Sequence, residues 1–137
     1  MAIFVVDASA ALAWCFEDEA NSWTDGLLER LRGGDRIVVP AHWPTEILNG
    51  LLVASRRKRI GADQPALFWD ELARLPIETE PALDASQAKR VLALGEKHSL
   101  TIYDAAYLEL ANRRKLSLGT LDSDLRRGAH AEGIVVL

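Results

Sequence analysis

The chain opens on Ile3-Phe4-Val5-Val6, an unbroken run of β-branched and aromatic side chains. It lacks the alternation of a strand with one wet face, so it predicts a strand buried on both faces of a parallel sheet. Asp7 ends the run, and Ala8 to Phe16, dominated by Ala and Leu, reads as a helix. The acidic Glu17-Asp18-Glu19 predicts a loop, followed by a helix from Asn21 to Leu31 that Gly33-Gly34 stops. Ile37-Val38-Val39 repeats the strand pattern and closes at Pro40. Beyond it, Ile47, Leu48, Leu51, Leu52 and Ala54 give one apolar face to a helix from Glu46 to Lys58, with Gly61 just past its end. Asp63 caps the next helix, which carries Pro65 in its first turn and reaches Ala73. Leu75 to Thr79 is a strand. Helices are predicted from Asp84 to His98 and from Thr101 to Arg114. Leu116 to Leu121 is a further strand, Asp122 to Ala131 a short helix, and Ile134-Val135-Val136 a closing strand. Strands alternating with helices, often in pairs, predict an α/β sandwich around a mostly parallel sheet.

Composition narrows this little. The 137 residues contain no repeat, low-complexity tract or long linker, which predicts one domain over 1–137. With 49% hydrophobic and 26% charged residues, the chain is neither disordered nor fibrous. Sixteen Lys and Arg against twenty Asp and Glu give a net charge of -4, which does not suggest a general polyanion binder. The single cysteine, Cys15, forms no intrachain disulfide; among Leu12, Ala13, Trp14 and Phe16 it reads as a core thiol in a reducing compartment. No window reaches roughly 18 uninterrupted apolar residues. The apolar opening from Ala2 to Phe16 lacks a basic flank and carries Asp7 in mid-run, so it is not read as a secretion signal. The expectation is a cytoplasmic protein with no membrane association.

Several chemistries are missing. There is no Gly-rich phosphate loop, GxGxxG, CxxC or GxSxG. His42, His98 and His130 lie apart with no partner at metal-ligand spacing, and each reads as a surface or helix-end residue. Acids remain. Ligands of an open parallel sheet bind beyond the carboxyl ends of its strands. Asp7 and Asp122 each end a strand, while Glu46 and Asp104 sit in the first turns of helices that follow loops. Taken singly, each has a plain structural reading: Asp7 and Asp122 as N-caps, Thr101-x-x-Asp104 as a capping box, Glu46 as a favourable charge at a helix start. Brought together, four carboxylates repel one another unless a cation neutralises them, and an all-oxygen donor set favours Mg²⁺ or Mn²⁺ over zinc.

The segments Val5-Val6-Asp7-Ala8-Ser9-Ala10-Ala11-Leu12-Ala13-Trp14, Val39-Pro40 with Trp43-Pro44-Thr45-Glu46-Ile47-Leu48-Asn49, Tyr103-Asp104-Ala105-Ala106-Tyr107-Leu108-Glu109-Leu110-Ala111, and Thr120-Leu121-Asp122-Ser123-Asp124-Leu125 occur in this order. Together they resemble the PIN-domain ribonucleases, in particular the VapC toxins of VapBC toxin–antitoxin systems, over nearly the whole chain. The resemblance implies a three-layer α/β/α fold and a Mg²⁺- or Mn²⁺-dependent endoribonuclease. It places the family's four acids at Asp7, Glu46, Asp104 and Asp122, as catalytic and metal-binding residues, and small hydroxyl positions at Ser9 and Thr120. It further implies a homodimer and a VapB-type antitoxin whose C-terminal segment occupies the groove beside the acids. Asp124, two residues after Asp122, competes for the fourth position, but the family pattern puts the acid just after Thr-Leu.

RNA must also be held. Arg56, Arg57, Lys58 and Arg59 end the helix of Glu46, and Asn49 lies one turn beyond Glu46. Arg113, Arg114 and Lys115 end the helix of Asp104, and Arg126 and Arg127 follow Asp122. These basic groups read either as phosphate-backbone contacts or as solvated helix ends favoured by the dipole. The tryptophans, Trp14, Trp23, Trp43 and Trp69, read mainly as packing residues, with base stacking or an antitoxin groove as the other role. Two further functions remain open. One is a catalytically inert PIN-like interaction module whose acids only cap helices. The other is a phosphatase with Asp7 as nucleophile, although Ser9 stands where that chemistry wants a second Asp.

Overall fold

In the computed structural model, which describes residues 1–137, the strands are β1 (Ile3–Val6), β2 (Arg36–Val39), β3 (Ile77–Thr79) and β4 (Leu118–Gly119). The helices are α1 (Ala8–Ala13), α2 (Ser22–Arg32), α3 (Trp43–Arg56), α4 (Gln64–Ala73), α5 (Ala85–His98), α6 (Ile102–Arg114) and α7 (Ser123–Ala131). All four strands are parallel, in the order β3-β2-β1-β4. Val5 pairs with Val38 on one side and Leu118 on the other. The helices flank this sheet in the expected α/β sandwich.

Burial explains the unbroken apolar strands. Val5, Val6, Ile37, Val38 and Val39 are fully buried, and they share one core with Leu27, Trp43, Ile47, Leu51, Leu108 and Leu125 from the surrounding helices. Trp43 is buried within it, and Trp14, Trp23 and Trp69 pack against it. The tryptophans therefore take the packing role. Cys15 is partly buried against the same core, and burial pushes its thiol up to about 11, with Glu71 adding to the effect. That shift disfavours the thiolate, the reactive form of the side chain.

Several ends and caps differ from expectation: the third strand starts at Ile77, not Leu75, the helix of Glu46 ends at Arg56, not Lys58, and Asp63 makes no side-chain cap bond. The first helix stops at Ala13, and Trp14 and Cys15 form a turn; the Trp14 indole N–H donates to the Thr24 carbonyl at 2.8 Å. The helix of Glu46 begins one turn early, at Trp43, because Pro44 suits a first-turn position where no backbone N–H is needed. The strand expected over Leu116–Leu121 shrinks to Leu118–Gly119, and the closing strand to a single parallel bridge between Leu118 and Val136. At the sheet edge, only short pairing is needed to dock these segments. The box expected at Thr101 is half made: Thr101 accepts from the Asp104 N–H at 3.1 Å, while the Asp104 carboxylate stays free of it.

A complete capping box stands instead at Asn21, which accepts from the Thr24 N–H at 2.9 Å while Thr24 Oγ1 accepts from the Asn21 N–H at 3.1 Å. Asn21→Ala removes one half of it. The expected cost is about 1 kcal/mol, read as a lower denaturation midpoint with an unchanged denaturant slope.

Candidate active site

The strand order places the site. The chain moves outward from β1 to β3 and then returns to the other side of β1 as β4, so the connections diverge where β1 and β4 adjoin. In open parallel sheets that is where ligands bind, beyond the carboxyl ends of the strands. Asp7 leaves β1 at that point, and Thr120 and Asp122 leave β4. The starts of α3 and α6 bring Glu46 and Asp104 to the same place.

Asp7 is 3% exposed. One carboxylate oxygen accepts from Ser9 Oγ at 2.8 Å and from the Ala10 N–H at 3.1 Å; the other accepts from Thr120 Oγ1 at 2.5 Å. Burial nevertheless raises its pKa from 3.8 to about 6. The three hydrogen bonds oppose this rise, and the charge of Asp104 adds to it. Thr120 is fully buried and ties two acids together, since its oxygen also accepts from the Asp122 N–H at 2.9 Å. Ser9 completes the frame by accepting from the Leu121 N–H at 3.2 Å.

Asp122 caps α7, accepting from the Leu125 N–H at 2.9 Å. Asp104 is raised above its ordinary pKa by burial, then by the charges of Asp122 and Glu46. The couplings from Asp104 to Asp7, Asp122 and Glu46 put all four expected acids in one electrostatic cluster. No three of them converge at distances that would ligate a single ion. Capping does not take Asp7 and Asp122 out of the cluster: each caps a helix and is coupled in charge to Asp104.

Two members of the site escaped the sequence reading. Tyr107 donates its hydroxyl to Glu46 Oε1 at 2.6 Å, and burial together with Glu46 raises its pKa far above the ordinary phenol value. His42 Nε2 stands 3.1 Å from the same oxygen, at ion-pair distance but outside hydrogen-bonding direction, and finds no other partner. His42 does mark a helix end, as expected, but one turned into the site. The signal was present in the spacing: Tyr107 follows Asp104 by three residues and His42 precedes Glu46 by four, so each shares a helix side with an acid.

Asp124 is outside the cluster, paired with Arg127 at 2.8 Å in solvent. The basic groups separate into committed and free. Arg113 and Arg114 are tied to Glu78, Glu80 and Glu109, and Arg126 donates to the Thr120 carbonyl at 2.9 Å. Arg59 lies over the Phe16 ring and pairs with Asp18 and Glu19. Arg56, Arg57 and Lys58 are exposed and make no ion pair. Arg57 and Asn49 line one cleft with Ser9, of about 360 Å³. His98 is held by Glu132 at 2.7 Å, and His130 is exposed at the end of α7.

A parallel α/β sandwich with four acids at its switch point defines a class that comparison with known proteins identifies. The PIN domain family model matches residues 4–131, and the chain belongs to that family. Within it, the chain is 30% identical over 121 residues to ribonuclease VapC3 of Pyrobaculum aerophilum, covering 88% of this chain and 90% of that protein. Among solved structures, PAE2754 from Pyrobaculum aerophilum superposes with a TM-score of 0.70 at 22% identity, over 93% of this chain and 87% of the other. VapBC2 from Rickettsia felis, bound to a DNA fragment from its promoter, gives 0.68 at 14% identity over 98% and 97%. These structures establish the shared fold.

Proposed function

We propose that the chain is a VapC-type toxin: a cytoplasmic endoribonuclease that hydrolyses RNA phosphodiester bonds with Mg²⁺ or Mn²⁺ and is neutralised by a VapB-type antitoxin. The observation that carries this reading is the buried Asp7 carboxylate, held by three donors at the end of β1 and coupled in charge to Asp104. Asp104 is coupled in turn to Asp122 and Glu46. A capping residue needs neither the burial nor the acidic neighbours. The family membership and the ribonuclease relative point the same way.

The donor set fits a hard divalent cation: all oxygen, partly buried, and acidic enough in sum that charge neutralisation relieves repulsion. Asp7, Asp104, Asp122 and Glu46 would hold it, in part through water, since no three converge at direct ligating distance. Such an ion supplies an activated water and stabilises charge on the reacting phosphate. The chain supplies the rest. Ser9 and Thr120 fix both oxygens of Asp7, and Thr120 fixes the turn that carries Asp122. Tyr107 fixes Glu46. Arg57 and Asn49, with Arg56 and Lys58 beyond them, lie on the approach and suit the RNA backbone, while Arg59 is bound to Asp18 and Glu19. Ser9 fills the position where an aspartate-nucleophile phosphatase needs its second acid.

The cleft holding Ser9 and Asn49 shares Phe16 and Arg59 with a second one of about 700 Å³ that includes Ile60 and Phe68. This groove, apolar at Phe16, Ile60 and Phe68 and carrying charges of both signs (Arg57 and Arg59 with Glu17, Asp18 and Glu19), suits the antitoxin segment. Leu48 and Leu52, 47% and 44% exposed on α3, are available to a homodimer contact.

Two outcomes test the reading. Cleavage of a mixed RNA pool should require Mg²⁺ or Mn²⁺ and stop with chelator. The same ions should raise the melting temperature of the protein alone, by the equivalent of about 2.7 kcal/mol at a hundredfold excess over the dissociation constant. An inert module gives neither; cleavage that persists in chelator overturns the metal mechanism. Tyr107→Phe keeps the ring and deletes the bond to Glu46. It should lower cleavage by about 10- to 100-fold, with a far-ultraviolet spectrum like that of the parent.

A further inference from the structure

On the far side of His42 lies a cleft of about 280 Å³, separate from the groove beside Ser9. Pro40 and His42 bound it after β2, Leu83 and Gln87 bound it around the start of α5, and Tyr103 and Arg113 bound it from α6. The cleft adjoins the acid cluster through His42, which lines it and stands 3.1 Å from Glu46 Oε1. Tyr103 is 61% exposed, and its ring meets His42 at 5.6 Å with a 57° tilt.

Charge and size narrow the occupant. Arg113, the one Lys or Arg side chain lining the cleft, is already bonded to both lining carboxylates, Glu80 and Glu109. No free positive charge remains for a phosphate. The volume falls just under that of ordinary small-ligand pockets, about 300–1,000 Å³, so the cleft suits one ring system and not a packed helix. Gln87 offers the polar edge: its side-chain oxygen is committed to the Asp84 N–H at 3.1 Å, which leaves its amide nitrogen to donate. An uncharged heteroaromatic ring with hydrogen-bonding edges meets all these conditions, and proteins that act on single-stranded RNA hold unstacked bases on such aromatic platforms.

We propose that this cleft seats one unpaired nucleobase of the RNA, stacked on Tyr103 beside the phosphate being cut. The inference rests on the ribonuclease reading and deepens it: the cleft becomes a determinant of which nucleotide flanks the cleavage site. Phosphate contacts along Arg57 position the strand, and the base cleft adds selectivity.

The test uses a short single-stranded RNA carrying a fluorescent purine analogue, paired with the same RNA made abasic at that position. Both are measured on the intact protein and on Tyr103→Ala, by equilibrium binding and by single-turnover cleavage in Mn²⁺. On the parent protein, removing the base should weaken binding about tenfold and the analogue should be quenched on binding. On Tyr103→Ala, the two RNAs should bind alike. Base-dependent binding without cleavage supports the cleft and removes the ribonuclease reading. Cleavage with equal losses on both RNAs in Tyr103→Ala overturns the cleft and leaves the nuclease in place. Neither binding nor cleavage removes both. If Tyr103→Ala instead leaves RNA binding unchanged and shifts the sedimentation of the protein, the cleft is a contact between copies of the chain and the proposal fails.

Discussion

Asp7→Asn is expected to reduce RNA cleavage more than a hundredfold while leaving the protein folded and more stable at neutral pH. Residues that only orient a metal ligand are worth about 10- to 100-fold, and Asp7 is the most tightly held carboxylate of the cluster, so its loss should exceed that range. The fold is protected because Asn is as good an N-cap as Asp. Its side-chain oxygen can still accept from the Ala10 N–H and the Ser9 hydroxyl, and its amide nitrogen, standing where the second carboxylate oxygen accepted from Thr120, can donate to Thr120 Oγ1 once that hydroxyl turns. Stability should rise because a buried negative charge beside Asp104 disappears. The measurement is single-turnover cleavage together with thermal melting. An Asp7→Asn protein that cuts like the parent would place the chemistry elsewhere.

The second large effect is a loss of stability in the metal-free protein as pH rises from about 4 to about 7. Burial raises Asp7 from 3.8 to about 6 in the folded state. The folded protein therefore binds the proton more tightly than the unfolded chain across that interval, and stability falls with rising pH. The displacement corresponds to about 3 kcal/mol, or roughly ten degrees in melting temperature for a domain of this size. The contribution is complete below the unfolded value and gone above about 6. Asp104, also raised, acts in the same direction. Asp35, Glu78 and Glu132 are lowered by their cationic or backbone partners and act oppositely, losing stability as pH falls. The quantity to measure is accordingly the difference between the parent protein and Asp7→Asn across that pH range in chelator. The difference should grow with pH and level off above about 6. Adding Mn²⁺ should shrink it, because only the parent retains its full set of ligands. A flat difference would mean that Asp7 is ionised at no cost and is not the strained acid of the site.

Which parts of this were legible in the chain depends on the range over which each is decided. The strands at Ile3–Val6 and Ile37–Val39 announce double-sided burial by their unbroken apolar runs, and the structure buries them so. Helix identities followed from period and caps, as at Asp84 and Asp122. The four acids stand out in the sequence because each lies at a strand end or helix start, where local pattern and chemistry coincide.

Tertiary packing decided the rest. Strand ends near Leu121 and Val135 depend on how much edge pairing the sheet requires, and the observed bridge at Leu118 and Val136 is less than the apolar runs suggested. Arg59, Arg113 and Arg114 look alike in sequence to Arg57, but partners as distant as Asp18 and Glu78 neutralise the first three and leave Arg57 free. Tyr107 reached Glu46, 61 positions away, only when α3 and α6 came together, whereas His42 meets the same acid locally from four residues before it. The sequence determined which groups carry charge and which segments must be buried, because those are properties of single residues and short periods. Only the folded arrangement decided which charges meet, because that depends on long-range packing that no local pattern encodes.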